Sequence, residues 1–146
     1  MIATNLFDSI RPNPFTDWLV MWKEALIVGL GGGLGSIARF LSQKGVERFM
    51  DSSFPMGTFV VNIVGSLIIG IVYEMASRGN LLTPEARLFL AVGFCGGFTT
   101  FSSFAYNNLT LINERLWQYL FLNVGGSLFA GILAVYLGII VVRVIF

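Results

Sequence analysis

Four long intervals without a charged side chain set the strongest limit on how this chain can fold. They cover residues 25–38, 52–73, 88–113 and 116–142, and the last three are 22, 26 and 27 residues long. At about 1.5 Å of rise per helical residue, each of these three can cross a hydrocarbon core of roughly 30 Å. The first reaches that length if it continues through Arg39 to about residue 42, which makes Arg39 an interior or near-interior cation. We therefore expect four transmembrane helices.

The composition agrees with a chain dissolved in lipid. Hydrophobic residues make up 55% of the 146 residues, charged residues only 12%, and the mean hydropathy is +0.80. A net charge of +1 gives no reason to expect a nucleic-acid partner. We therefore expect a multi-pass protein of the cell membrane, plasma or inner, in contact with lipid.

The sequence also argues against an enzyme. It contains no histidine, which removes the commonest general base and the commonest metal ligand, so zinc sites and Ser-His-Asp chemistry are excluded. No close pair of carboxylates lies in the predicted spans. The single cysteine, Cys95, cannot form an intrachain disulfide. The expectation is a protein without catalytic residues.

Two regions are predicted along the chain. Residues 1–24 form a polar leader in which Trp18 and Trp22 are four residues apart, so a helix would hold both indoles on one face at headgroup depth. The alternative for this leader is a frayed tail. It lacks the pattern of a removable signal peptide, so the first span is expected to be retained. Residues 25–146 then form one four-helix transmembrane channel domain.

The predicted helices run over about 25–42, 57–75, 86–112 and 116–142. Small residues in the first are spaced for close helix packing, at the pairs 29/33 and 31/35. These glycines are not a nucleotide-binding loop, because no strand precedes them and no Gly-Lys-Ser/Thr ending follows.

The third predicted helix is expected to be broken near its middle, at Gly96 and Gly97. A break at membrane depth frees carbonyl oxygens that lipid cannot satisfy. Neighbouring side chains, water or a monovalent cation could each occupy those oxygens, and the sequence does not choose among them.

Uncharged polar residues recur at helical spacing on three predicted helices. The three sets are Thr58, Asn62, Gly65 and Ser66, then Ser103, Asn107 and Thr110, then Tyr119, Asn123 and Ser127. Such residues often only hold helices together by hydrogen bonds. Two asparagines beside a Ser/Thr/Phe cluster favour a common pathway instead. Neutral donors and phenyl ring edges suit a small anion that accepts hydrogen bonds strongly, although they do not name it.

The basic residues are nearly balanced between the two sides of the four spans. Five on one side face three or four on the other, so the positive-inside rule does not choose an orientation. That balance is typical of a chain that inserts both ways. It predicts an antiparallel two-fold homodimer of dual topology.

Three segments resemble the Fluc (CrcB-like) family of fluoride channels. They are residues 31–40 (GGGLGSIARF), 55–66 (PMGTFVVNIVGS) and 93–102 (GFCGGFTTFS), and the third is the most specific. The similarity covers roughly residues 25 to 142. Two positions depart from the family pattern, because Asn107 stands where a glutamate is frequent and Ala105 where a serine is.

The resemblance implies a function and a set of roles. It implies a dual-topology homodimer with two pores that exports fluoride passively and so protects against fluoride toxicity. Its pore and fluoride residues would be Asn62, Thr58, Phe101, Phe104, Ser102, Ser103, Tyr119 and Asn123. A structural Na⁺ ion would be held by the backbone carbonyls of Gly96 and Thr99.

The alternative function is a small multidrug-type transporter, which is also a four-helix dual-topology dimer. It would need a membrane-buried carboxylate in the first helix to couple protons to cationic drugs. Residues 25–38 contain none, and Glu24 lies at the edge. A purely structural subunit would explain the glycines but not the aligned polar faces.

Overall fold

The computed structural model describes residues 14–50, 52–79 and 81–146, with side chains from residue 16 onward, so residues 1–13 of the expected leader lie outside it. Within these ranges all regular structure is helical. The helices are α1 (Pro14–Phe49), α2 (Met56–Ser77), α3 (residues 84–98), α4 (Phe101–Asn113) and α5 (Trp117–Ile145).

The expectation of four spans is confirmed. Four helical segments in the described part of the chain are long and apolar enough to cross a membrane: α1, α2, α3 with α4, and α5. The largest difference from the predicted boundaries is in α1, which has 36 residues and continues past both ends of the predicted span. Residues 14–24 are its first turns, so no backbone break marks a boundary at residue 24, and the interfacial role of the leader stays a prediction.

Glycine allows two pairs of helices to approach at backbone distance. A Cβ atom at Gly31 or Gly35 of α1 would meet backbone atoms of α3, and one at Gly70 of α2 or Gly138 of α5 would meet the backbone of the other helix. The predicted packing pair 31/35 is therefore confirmed. The pair 29/33 is wrong, because a Cβ atom at either position would meet nothing within 4 Å. The most extensive contacts between helices are those of α1 with α3 and of α2 with α5.

The start of α3 is fixed by local chemistry. Thr83 has an extended backbone, and its hydroxyl accepts a hydrogen bond from the Ala86 backbone N–H at 3.1 Å. Pro84 follows in the first turn, where its missing N–H costs nothing. The helix then widens into a π-helix over Leu88–Cys95 before Gly96–Phe98 returns to α geometry.

Ion pairs gather at the membrane end where α2 and α5 finish. Glu74 of α2 accepts hydrogen bonds from Arg143 of α5 at 3.0 Å and from Arg78 at 3.3 Å. At the same end Lys23 of α1 pairs with Glu85 of α3 at 2.9 Å. These contacts tie α1 to α3 and α2 to α5 outside the apolar part of the bundle.

Candidate functional site

The helical chain is interrupted at Thr99 and Thr100, between α3 and α4. Both residues have extended backbone, with φ −82° and ψ 159° at Thr99 and φ −149° and ψ 113° at Thr100. Thr100 then caps α4, because its hydroxyl accepts the Ser103 backbone N–H at 3.2 Å. The break expected in the third span is therefore present, but it lies after Gly96 and Gly97, which are helical.

The side chain of Asn62 holds this interruption from α2. Its Nδ2 donates to the Thr100 carbonyl oxygen at 3.2 Å, and its Oδ1 accepts the Thr100 backbone N–H at 2.9 Å. One amide thus satisfies both polar groups of a residue that leaves the helix, groups that lipid could not satisfy. Nδ2 carries two hydrogens, and the second has no acceptor among the residues that the structure describes.

The interruption changes the bonding of two carbonyl oxygens. In an unbroken helix the N–H of Thr100 would donate to the Gly96 carbonyl and that of Ser103 to the Thr99 carbonyl. Here these N–H groups donate to Asn62 Oδ1 and Thr100 Oγ1 instead. The two carbonyls predicted to hold Na⁺ are therefore ones that lose their usual helical donors.

Polar side chains continue from the interruption along α2 and α4, which run in opposite directions. The Thr100 hydroxyl contacts Ser103 Oγ at 3.0 Å and Ser102 Oγ at 3.3 Å. About one turn from Asn62 along α2, the hydroxyl of Thr58 accepts a hydrogen bond from Asn107 Nδ2 at 3.0 Å. The predicted polar faces of these two helices therefore meet.

Phe101 and Phe104 lie beside the same interruption. Their ring centroids are 5.9 Å apart with the planes inclined by 38°. Phe101 is 80% exposed in the single chain, whereas Phe104 is half-buried. The two rings are therefore adjacent, and neither is fully buried in the bundle core.

An open groove of about 640 Å³ brings these features together between α2, α3, α4 and α5. No charged residue lines it. Its lining includes polar and aromatic side chains and backbone near the break, namely Asn62, Ser66, Gly96, Thr99, Thr100, Phe101, Phe104 and Ser127. The arrangement can accept a small solute on neutral donors and ring edges.

Two predicted residues of the last helix lie elsewhere in this chain. Asn123 is fully buried and donates from Nδ2 to Asn108 Oδ1 at 2.8 Å, so it joins α5 to α4. Tyr119 is exposed and contacts Phe54 edge to face, with ring centroids 6.1 Å apart. Neither borders the groove, and their roles in a pore stay predictions.

The sequence reasoning missed Gln43 and Asn108. Gln43 Nε2 donates to the Thr58 hydroxyl at 3.2 Å, and Asn108 is the partner of Asn123. Gln43 lies seven residues after Ser36, whose hydroxyl reaches the Gly97 carbonyl at 3.5 Å, so both are on the face of α1 turned to the other helices. That spacing was a usable signal for Gln43. For Asn108 there was none, because its neighbour Asn107 completes the polar face.

Comparison with known proteins places this architecture in a family. The family model described as CrcB-like protein, Camphor Resistance (CrcB), matches residues 26–139. A protein of Chlorobium luteolum is 45% identical over 120 residues, which are 82% of this chain and 92% of the relative. One of Chlorobaculum tepidum is 43% identical over 124 residues, 85% of this chain and 98% of the relative. One of Flavobacterium psychrophilum is 36% identical over 121 residues, 83% and 98% of the two chains.

All three relatives are described as the fluoride-specific ion channel FluC. The matched region contains the helix interruption and the whole groove. It also contains the four apolar helices, apart from the start of α1 and the last residues of α5. The chain belongs to the CrcB-like family.

Proposed function

We propose that this chain is the subunit of a fluoride-selective channel that lets F⁻ leave the cell passively and so protects against fluoride toxicity. The observation that carries the proposal is the uncharged groove at the helix interruption, where the Asn62 amide and the Phe101 and Phe104 rings converge. Relatives that align with most of this chain are described as fluoride-specific channels.

The groove suits fluoride because it offers donors without a fixed opposite charge. An anion that leaves water must recover its lost hydrogen bonds, or the cost of desolvation is several kcal/mol or more. The free N–H of Asn62 and the edges of the two phenyl rings, where the quadrupole is positive, can replace water around a small anion. A cationic side chain in direct contact with the ion would bind it more tightly and slow its release, whereas conduction needs weak, repeated contacts.

The residues predicted for the pore divide by their distance from the break. Asn62, Phe101 and Phe104 line the groove, and Ser102 and Ser103 are joined to it through the Thr100 hydroxyl. Thr58 lies one turn further along α2, toward the membrane surface. We assign these six to one continuous path, with Tyr119 and Asn123 further along it.

We also infer a structural Na⁺ ion at the interruption. Its ligands would be the carbonyl oxygens of Gly96 and Thr99, which have lost their usual helical donors and are the hard oxygen ligands that such a cation takes. The described residues contain no group of acidic, cysteine or histidine side chains that could hold a metal, so backbone oxygen would supply the ligands. The ion would stabilise the break and would not be transported.

The proposed assembly is an antiparallel homodimer of dual topology. It is supported by the balance of basic residues between the two membrane sides and by the exposure of Phe101, which a second copy could cover. The alternative of a small multidrug-type transporter is not favoured. The groove has no carboxylate, and Glu74, the half-buried carboxylate of α2, is paired with two arginines.

Efflux from liposomes tests the proposal directly. Purified protein is placed in vesicles loaded with KF or KCl, with Na⁺ present on both sides. The KF vesicles should release fluoride, measured with an ion-selective electrode, once K⁺ is made permeable. Chloride release should stay at the level of protein-free vesicles. Equal release of the two halides, or none of fluoride, would contradict a fluoride-selective channel.

A further inference from the structure

Three helices meet at the hydroxyl group of Thr58. Gln43 Nε2 of α1 lies 3.2 Å from Thr58 Oγ1, and Asn107 Nδ2 of α4 lies 3.0 Å from it. Thr58 itself is in the first turn of α2 and is only 7% exposed. The hydroxyl is therefore fixed from two sides inside the bundle.

The chemistry of these groups determines the direction of every hydrogen bond. A threonine hydroxyl has one O–H donor and two acceptor lone pairs, whereas an amide nitrogen only donates. Gln43 and Asn107 thus fill both lone pairs of Thr58 Oγ1. The O–H of Thr58 has no acceptor among the residues that the structure describes.

The free O–H of Thr58 lies along the polar faces that lead to the groove. Thr58 lies four residues before Asn62 on α2, and Asn107 lies four residues after Ser103 on α4, so both belong to the polar faces that lead to the groove. A buried O–H without a partner is costly, and an anion or water passing along this path would satisfy it.

We propose that Gln43 is a positioning residue that, together with Asn107, holds the Thr58 hydroxyl as an obligate hydrogen-bond donor at the outer end of the anion path. The inference rests on the proposed channel function. Because no lone pair of Thr58 is left over, the group can offer its proton to an anion but has no lone pair to offer a cation. Gln43 acts through Thr58 and does not itself touch the ion.

A simpler role for Gln43 would be to hold α1 against α2. The two roles predict opposite rankings of fluoride efflux for the variants Gln43→Glu and Gln43→Met. Gln43→Glu keeps the size and a hydrogen bond to Thr58. A carboxylate only accepts, however, so the Thr58 O–H would donate to it and would no longer be available to an anion. Gln43→Met keeps the size and loses the bond, leaving Asn107 as a donor and the O–H free. If Gln43 only joins helices, methionine should be the more harmful of the two.

We expect fluoride efflux from vesicles to fall by about tenfold or more in Gln43→Glu, the effect of losing one hydrogen bond to a charged group, and by clearly less in Gln43→Met. Gln118→Glu is the matched control, because Gln118 is exposed in the first turn of α5 at the same membrane end and touches neither Thr58 nor the groove. Its efflux should equal that of the unmodified protein. If Gln43→Glu does not fold, Gln43→Met is compared with Thr58→Val instead and should lose clearly less efflux, because only the valine removes the O–H.

Thr58→Val provides the second arm, because it keeps the shape and removes the hydroxyl. A residue that acts only through Thr58 should have no further effect in its absence, so Gln43→Glu/Thr58→Val should match Thr58→Val within about twofold. A full additional loss in the double variant, or a larger loss in Gln43→Met than in Gln43→Glu, would overturn the inference while leaving the channel function intact. Absence of fluoride efflux from the unmodified protein would instead contradict the proposed function, and this inference with it.

Discussion

Phe101 and Phe104 are three residues apart at the start of α4, so both rings belong to one face of the helix. Hydrophobic packing alone does not explain why two phenylalanines lie here, since Phe101 is 80% exposed in the single chain and contributes little to the core. Their location beside the Asn62 amide, at the edge of an uncharged groove, is suited to a role in which ring edges face an anion.

Replacing either ring by isoleucine separates this role from packing, because isoleucine keeps the hydrophobic bulk and removes the quadrupole. We expect fluoride efflux to fall by an order of magnitude or more in Phe101→Ile and in Phe104→Ile, which corresponds to a loss of about 1.4 kcal/mol or more of barrier stabilisation. Gel filtration in detergent should show an unchanged assembly. Full efflux in both variants would leave Asn62 and the hydroxyl groups as the conducting residues.

The two asparagines of the predicted pathway show how far residue-level reasoning reaches. Helical spacing alone predicted that Asn62 and Asn123 lie on polar faces, and in the structure Asn62 lines the groove. It gives Asn123 a buried partner, Asn108, on a neighbouring helix. Helical spacing identifies which face a side chain shares but not which helix that face meets, so an amide that lines the groove and one that joins two helices have the same sequence pattern.

At the scale of elements, α1 and α3 are joined by backbone contact rather than by interlocking side chains. A Cβ atom added at Gly35 would collide with the Phe94 carbonyl and the Phe98 nitrogen, whereas one added at Gly33 would meet nothing within 4 Å. Close approach of this kind is the main source of helix association when lipid is as apolar as the side chains.

Gly35→Ala should therefore destabilise the protein, by about 1–3 kcal/mol for overpacking, and lower the temperature at which it aggregates in detergent. Gly33→Ala is the matched control on the opposite face of the same turn of α1. It should leave that temperature unchanged or raise it, because alanine favours a helix by about 1 kcal/mol over glycine. Equal effects of the two substitutions would argue against the glycine contact.

The helix interruption was predicted at the correct span but at the wrong residues. Glycine pairs often mark a break, yet Gly97 is helical and packs against the Gly32 backbone. The extended residues are Thr99 and Thr100, whose polar groups are satisfied by Asn62 and by the cap of α4. A contact between residues 38 positions apart cannot be read from local sequence.

The inferred Na⁺ at this break leads to a prediction on ion exchange. Replacing Na⁺ on both sides by Li⁺ or by a large organic cation should lower fluoride efflux, because the carbonyls of Gly96 and Thr99 would lose the cation that satisfies them. The measurement is efflux from vesicles prepared in each salt, with restored Na⁺ as the control. Unchanged efflux would indicate that side chains or water satisfy these oxygens.

At the scale of the whole molecule, the balance of basic residues between the two membrane sides predicts the orientation in which the chain inserts. The segments that would report it are residues 44–51 and 78–85, which lie on opposite sides of the four predicted spans. We expect both orientations in equal amounts, since the positive-inside bias is nearly absent.

Single cysteines placed in each of these two segments, in a chain whose Cys95 is replaced, should react partially with a thiol reagent added to either side of the membrane. The buried Cys95 is removed because it is the one native thiol. If all copies of one loop react from a single side, the dual topology is wrong and the dimer would have to be parallel.

The fold was more predictable from the sequence than the site was. Charge-free intervals gave four spans, because lipid requires continuous apolar helices. They did not give the length of α1, whose 36 residues span about 54 Å and include charged residues at both ends that the intervals excluded.

The way α4 is attached has a consequence for motion within the bundle. The pairs α1 with α3 and α2 with α5 touch through their backbones. In contrast, α4 contains no glycine and is joined to its neighbours through side chains, by the hydrogen bonds of Asn62, Asn107 and Asn108 and by the buried Leu111. Few contacts of that kind mean a low free energy of local opening. Amide hydrogens of residues 104–113 should therefore exchange with solvent deuterium sooner than those of α2, and the segment that carries the candidate anion contacts is the one best able to fluctuate as an ion passes.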